Sequence, residues 1–164
     1  MKPLSVVVRT VCDFFAWFMV VFGVYVIVHG HLTPGGGFQG GAVVATFVTL
    51  LLVAYGGEKV LSWIKVHLLD SLETSGLLIF LGAGFLGISS AFFYNVLAKS
   101  GGLFGSSVPI GSNPGVLNSS GTIALMNIAV GMEVVGGIPL IIIFMFMGIR
   151  LFDEVGKEER GYDR

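Results

Sequence analysis

Residues 21–50 read VFGVYVIVHGHLTPGGGFQGGAVVATFVTL, thirty residues without one Asp, Glu, Lys or Arg. At their centre is a polar island, HGHLTPGGGFQGG at 29–41, with five glycines in seven residues behind two histidines, a threonine and a proline. In water such an island invites a metal-site or phosphate-loop reading. In a bilayer it is a turn between two buried segments. The runs on either side decide between them.

Those runs belong to a pattern that covers the whole chain. No charged residue occurs from Phe14 to Gly57, from Thr74 to Ala98, from Ser100 to Met132, or from Val134 to Ile149. The 164 residues are 54% hydrophobic and 12% charged, with mean hydropathy +0.91. Soluble domains carry about 25% charged residues, and segments this apolar would aggregate if exposed to water. At about 20 residues per crossing, the sequence predicts an all-α membrane protein with four spans. These are roughly Val11–Val28, Phe38–Tyr55, Ser75–Leu97 and Gly121–Leu151. Residues 1–152 then form one four-helix membrane domain, and 153–164 a hydrophilic tail. The stretch 58–70 is read either as a short interfacial helix between helices two and three or as an extended start to helix three. Asp70 and Glu73 resemble a capping box for that third helix. Asn118, Ser119 and Ser120 offer N-caps for the fourth.

Orientation follows from the cations near the span ends. With four spans, Lys2, Arg9, Lys59, Lys65, Arg150, Lys157, Arg160 and Arg164 share one side, and Lys99 stands alone on the other. Eight against one predicts a multi-pass protein of the cell membrane with both termini cytoplasmic. The net charge of −1 gives no pull towards nucleic acid.

The chemistry of the island narrows in the same way. His29 and His31 supply two zinc ligands where three or four are needed, and the external side has no Cys, Asp or Glu to add. A phosphate loop needs Lys followed by Ser or Thr after its last glycine, and here the chain continues AVVAT. No metal or other cofactor is implied. What remains is a turn in which Thr33 caps a helix and Pro34 takes its first position. Gly35, Gly36, Gly37, Gly40 and Gly41 would line the opening turns. Five glycines in place of alanines cost about 5 kcal/mol of helix propensity, so the stretch demands a close neighbour. The Gly36/Gly40 and Gly37/Gly41 spacings favour tight helix contact in lipid.

Two ionisable groups fall inside the spans. Asp13 lies near the cytoplasmic end of the first and is read as interfacial or paired with Arg9. Glu133, in GMEVVGG, sits well inside the fourth, where a carboxylate costs a few kcal/mol unless it is protonated, paired or facing water. It is either a proton- or cation-exchange group or a neutral carboxyl bonded to another helix. No constellation of nucleophile, base and metal is present, so the chain reads as non-catalytic.

TPGGGFQGG at 33–41 and SSGTIALMNIAVGMEVVGG at 119–137 resemble two blocks of the MnhB-like subunits of Mrp-type (Mnh-type) multisubunit cation/proton antiporters. Homologous subunits belong to archaeal membrane-bound hydrogenases and related sulfur-reducing complexes. The resemblance implies a small membrane subunit that partners sister subunits, in a module moving Na+ and H+. Glu133 is the first ion-pathway candidate, with Asn127, Gln39 and Asp13 as further ones. Many bacterial relatives carry an acidic residue where this chain has Asn127, and an apolar one where it has Glu133. The alternatives are a purely structural assembly subunit and an independent four-helix transporter.

Overall fold

A computed structural model describes residues 3–108, 110–111 and 115–162, with side chains described to residue 152. Within them lie five α-helices: α1 Val6–Val28, α2 Gly36–Tyr55, α3 Gly57–Trp63, α4 Val66–Phe85 and α5 Thr122–Tyr162. A short 3-10 turn, Leu117–Ser119, precedes α5. No strand occurs among the described residues. Four helices are long and apolar enough to cross a membrane: α1, α2, α4 and Thr122–Phe152 of α5. The shortest of them, α2 and α4, have 20 residues each and rise about 30 Å, the thickness of the hydrocarbon layer.

α2 and α5 form the centre. α1 packs on the outside of α2, and α4 on the outside of α5. The outer helix α1 turns Phe14, Trp17 and Val21 outwards, as a lipid-facing helix must when its polar backbone is already satisfied. At the end where α2 finishes, Gly56 takes φ 84° and lets the chain reverse into α3. Val60 of α3 is fully buried with Val48, Leu52 and Ile143. An Arg150–Glu58 ion pair of 3.1 Å joins α5 to α3.

Several expectations need correction. The third span is Val66–Phe85, about ten residues earlier than the apolar run suggests. From Leu86 onward the chain is as apolar as a helix, yet it turns back. Phe93 adopts φ 66° and its N–H bonds to the Gly84 carbonyl at 3.1 Å, while Phe92 and Phe93 pack where a Gly84 side chain would be. Asp70 and Glu73 therefore lie inside α4 and cap nothing. The 58–70 stretch contains both alternatives: α3 is a separate short helix, and α4 starts directly after the extended residues Ile64 and Lys65.

The caps also differ. α2 starts at Gly36, with Gly35 at φ 78° in the capping position and no side-chain cap. Thr33 and Pro34 form a turn closed by Gly36 N–H to the Thr33 carbonyl at 3.2 Å. The left-handed backbone that begins α2 suits glycine, not threonine. Asn118, Ser119 and Ser120 belong to the 3-10 turn and its end. The first amide of α5, from Thr122, instead donates to Asn95 Oδ1 at 2.7 Å, and the Thr122 hydroxyl donates to the same oxygen at 3.0 Å. Finally, helical backbone continues through the polar segment to Tyr162.

Candidate functional site

The glycine island finds its neighbours within the chain. A Cβ on Gly40 would meet the Gly23 carbonyl at 2.6 Å and the Ile27 nitrogen at 2.7 Å, both backbone atoms of α1. On Gly37 it would meet the Asn127 carbonyl of α5 at 2.5 Å, and on Gly41 the Val134 side chain at 2.7 Å. Gly36, Gly37, Gly40 and Gly41 are all buried. Gly36/Gly40 and Gly37/Gly41 thus place α2 in close contact with α1 on one side and α5 on the other. The close neighbour that the glycines demand is supplied here by the chain's own helices.

Asn127 completes this junction. Its Oδ1 accepts from the Gly37 N–H at 2.7 Å, and its Nδ2 donates to the Ile27 carbonyl. The first bond satisfies an amide in the opening turn of α2 that the helix cannot pair internally, and the second adds to the Gly30 N–H bond already made to a carbonyl in the last turn of α1. One side chain from α5 therefore joins the ends of two other helices. His31 fastens the same turn from the other side, with Nδ1 3.2 Å from the Val28 carbonyl and Nε2 2.8 Å from that of Gly115. His29 places Nδ1 2.9 Å from the Tyr25 carbonyl, and its ring packs on that of Tyr25. The two histidines serve backbone carbonyls separately. Between this turn and α4 opens a cleft of about 550 Å³, lined by His31, Thr33, Phe38, Phe80, Met126 and Asn127. Gln39 is exposed on α2, on neither face that meets α1 or α5.

Glu133 lies in different surroundings. It is the twelfth residue of α5, half-buried, and its backbone sits against Gly76 of α4, whose added Cβ would meet Glu133 N at 2.6 Å. One turn further along α5, Gly137 faces the carboxyl of Glu73, which lies 3.3 Å from the position of a Gly137 Cβ. Gly136 meets the Glu73 backbone nitrogen at 2.7 Å by the same measure. The glycines Gly76, Gly136 and Gly137 bring α4 and α5 together along a seam that carries the carboxyl of Glu73 and, about one helical turn back along α5, the backbone of Glu133. Among the described residues no hydrogen bond or ion pair reaches the carboxyl of either residue.

Sequence reading missed Glu73 because it assigned the residue to a cap. An acidic residue three positions after Asp70 and ahead of an apolar run fits a helix interior as well as a helix start. Asn127, six residues before Glu133 on α5, reaches the glycine turn and not the seam. Asp13 is separate from both. Its Oδ2 accepts from the Tyr55 hydroxyl at 2.5 Å, while the Arg9 guanidinium lies 5.8 Å from the Tyr55 ring centroid. Asp13 thus bonds to α2, and of the two readings, interfacial or paired with Arg9, the Arg9 pair is not formed among the described residues.

Four apolar helices with polar groups collected along internal seams define a multi-pass membrane protein. Residues 7–140 match the model of the family described as the domain related to the MnhB subunit of Na+/H+ antiporter, and the chain belongs to that family. An uncharacterized protein of Methanocaldococcus jannaschii is 32% identical over 143 residues, covering 86% of this chain and 52% of the relative. A Staphylococcus aureus protein that carries the name putative antiporter subunit mnhB2 is 38% identical over 66 residues, 40% of this chain and 47% of that protein. The chain spans about half the length of the curated relatives it matches.

Proposed function

We propose that the chain is a small membrane subunit of a multisubunit Na+/H+ antiport module, and that Glu133 handles a proton or sodium ion at the α4/α5 seam. The observation that supports this most directly is the position of Glu133 and Glu73 on one glycine-lined seam inside the spanning helices. A carboxylate within a bilayer costs a few kcal/mol unless protonated, paired or hydrated. Two of them, with no partner from the described residues of this chain, suit a group that exchanges cations or meets a donor from a sister subunit. Asn127 supports the seam by fixing α5 to α1 and α2. Asp13 and Gln39 have no contact with it and are weaker candidates. The subunit is non-catalytic, with both termini on the cytoplasmic side, where eight of its nine Lys and Arg residues then lie.

A redox-driven parent complex of the membrane-bound hydrogenase or sulfur-reductase type is the second form of this reading, supported by the resemblance carried by residues 33–41 and 119–137. Affinity purification through a tag on this chain separates the forms. Large antiporter subunits alone in the assembly point to a stand-alone antiporter, and hydrogenase or sulfur-reductase subunits to a redox pump. Sodium-dependent proton movement in vesicles is expected from the assembly and not from this chain alone. Transport by the purified chain would make it an independent transporter.

The tight intramolecular glycine contacts favour one further reading, a purely structural subunit with no ion path. It predicts that replacing Glu133 leaves transport unchanged.

A further inference from the structure

At the end of the bundle opposite the glycine island, four side chains from three helices meet. Tyr55 closes α2, Arg9 lies in the first turn of α1, and Lys59 and Trp63 belong to α3. The Arg9 guanidinium carbon is 5.8 Å and the Lys59 ammonium 5.1 Å from the Tyr55 ring centroid. Lys59 is also 5.1 Å from the Trp63 ring, and the Tyr55 and Trp63 rings meet edge-on at 5.1 Å. Two cations thus each lie within cation–π range of the same ring.

Neither cation makes an ion pair with a carboxylate among the described residues. Glu58, next to Lys59, is taken by Arg150 at 3.1 Å. Asp13, one turn deeper on α1 than Arg9, is engaged by the Tyr55 hydroxyl. The Arg9 Nε is buried and has no hydrogen-bond partner. A buried donor of this kind costs free energy until an acceptor arrives.

The position of the cluster limits what that acceptor is. It lies where α1 begins and α2 ends, at one face of the hydrocarbon layer, the depth at which Tyr and Trp gather and Lys and Arg meet lipid phosphates. Directly below it on α1, at the helical spacing 9, 13, 17, Trp17 is 66% exposed. Exposed aromatic surface beneath a cationic head fits a molecule with a phosphate above and an apolar chain below. A free phosphate uses only the upper half of that surface.

We propose that Arg9 and Lys59, supported by the rings of Tyr55 and Trp63, form a binding site for the phosphate headgroup of an anionic membrane lipid. This site stands apart from the α4/α5 seam and does not depend on the transport reading.

The test uses the assembly purified through this chain and placed in phosphatidylcholine nanodiscs containing phosphatidylglycerol with a photoreactive headgroup. Labelled peptides are mapped by mass spectrometry. Labelling is expected on the peptides that carry Arg9 and Lys59, and it should fall roughly tenfold in the Arg9→Gln/Lys59→Gln double variant, as removal of two cations near the membrane surface implies. Lys99→Gln, at the other end of the bundle, should leave it unchanged. Lys59 is exposed, so Lys59→Gln alone gives the same direction of change where the double variant does not assemble. Equal labelling of wild type and Lys59→Gln overturns the proposal. Competition by inorganic phosphate as effective as competition by unlabelled phosphatidylglycerol reduces the site to a general anion site and overturns the lipid assignment. A cross-link from position 59 to a sister subunit, with no lipid label, overturns it in favour of a protein partner.

Discussion

The two polar junctions of α5 are built on the same device and end in opposite states. Near its start, Asn127 meets α1 and α2 where glycines let backbones touch, and both ends of its amide are used. Nearly two turns on, Glu133 meets α4 across a second set of glycines, and the carboxyls of Glu133 and Glu73 are left without a partner from the described residues. In lipid, a polar group that only holds helices together is best when it is fully bonded. A group that must take up and release a cation has to keep its bonding capacity open. Under the proposed function, the open state of the polar group, and not the glycine seam itself, is what sets a transport junction apart from a structural one.

The largest effect expected from breaking the first junction is loss of the fold. Gly40→Leu and Gly37→Leu would drive a side chain into the backbone of α1 or α5, and overpacking against backbone costs about 1–3 kcal/mol or more even where some repacking is open. Neither variant should accumulate in membranes or join the assembly, as judged by blue-native electrophoresis. Gly82→Ala is the control, because nothing lies within 4 Å of its added Cβ. It should be neutral or stabilising by up to about 1 kcal/mol. Normal assembly of Gly40→Leu would show that α1 and α2 are farther apart than these contacts require.

Asn127→Ala is expected to be milder. It removes both bonds and leaves the Gly37 amide and the Ile27 carbonyl without this partner, a loss of about 1–2 kcal/mol. Thermal unfolding in detergent should show a lower midpoint while the assembly still forms. An unchanged midpoint would mean that Asn127 is not the fastener and would return it to the ion-pathway residues. Tyr55→Phe should be smaller again. It removes the hydroxyl that serves Asp13, worth about 1 kcal/mol, and it keeps the ring that supports Arg9 and Lys59. A midpoint lowered as far as in Asn127→Ala would make the Tyr55–Asp13 contact an equal fastener.

How far the sequence revealed this follows from the same contrast. The uncharged runs located α1, α2 and α5 within a few residues of their membrane-spanning parts, because bilayer length and apolarity leave little choice. The glycines of 35–41 announced a close neighbour, since nothing else offsets their poor helix propensity. Which neighbour was not legible: Gly40 meets α1 and Gly37 meets α5 only once the whole bundle is packed. α4 was misplaced because residues 86–97 are apolar but fold back through Phe93 at positive φ, and apolarity alone cannot tell a helix from a turn. That error hid Glu73, and with it the second carboxyl of the seam. Asn95, which caps α5 from 27 residues away, left no local signal.

The sharpest question is whether Glu133 acts on ions or only holds helices. Glu133→Gln keeps size and hydrogen bonding but removes the exchangeable charge. It is measured in everted vesicles as sodium-dependent proton movement, after blue-native electrophoresis confirms a complete assembly. The expected result is an intact assembly whose transport falls by at least about tenfold, the loss of a single ionisable group on an ion path. An intact assembly with wild-type transport would contradict it and leave this chain a structural subunit.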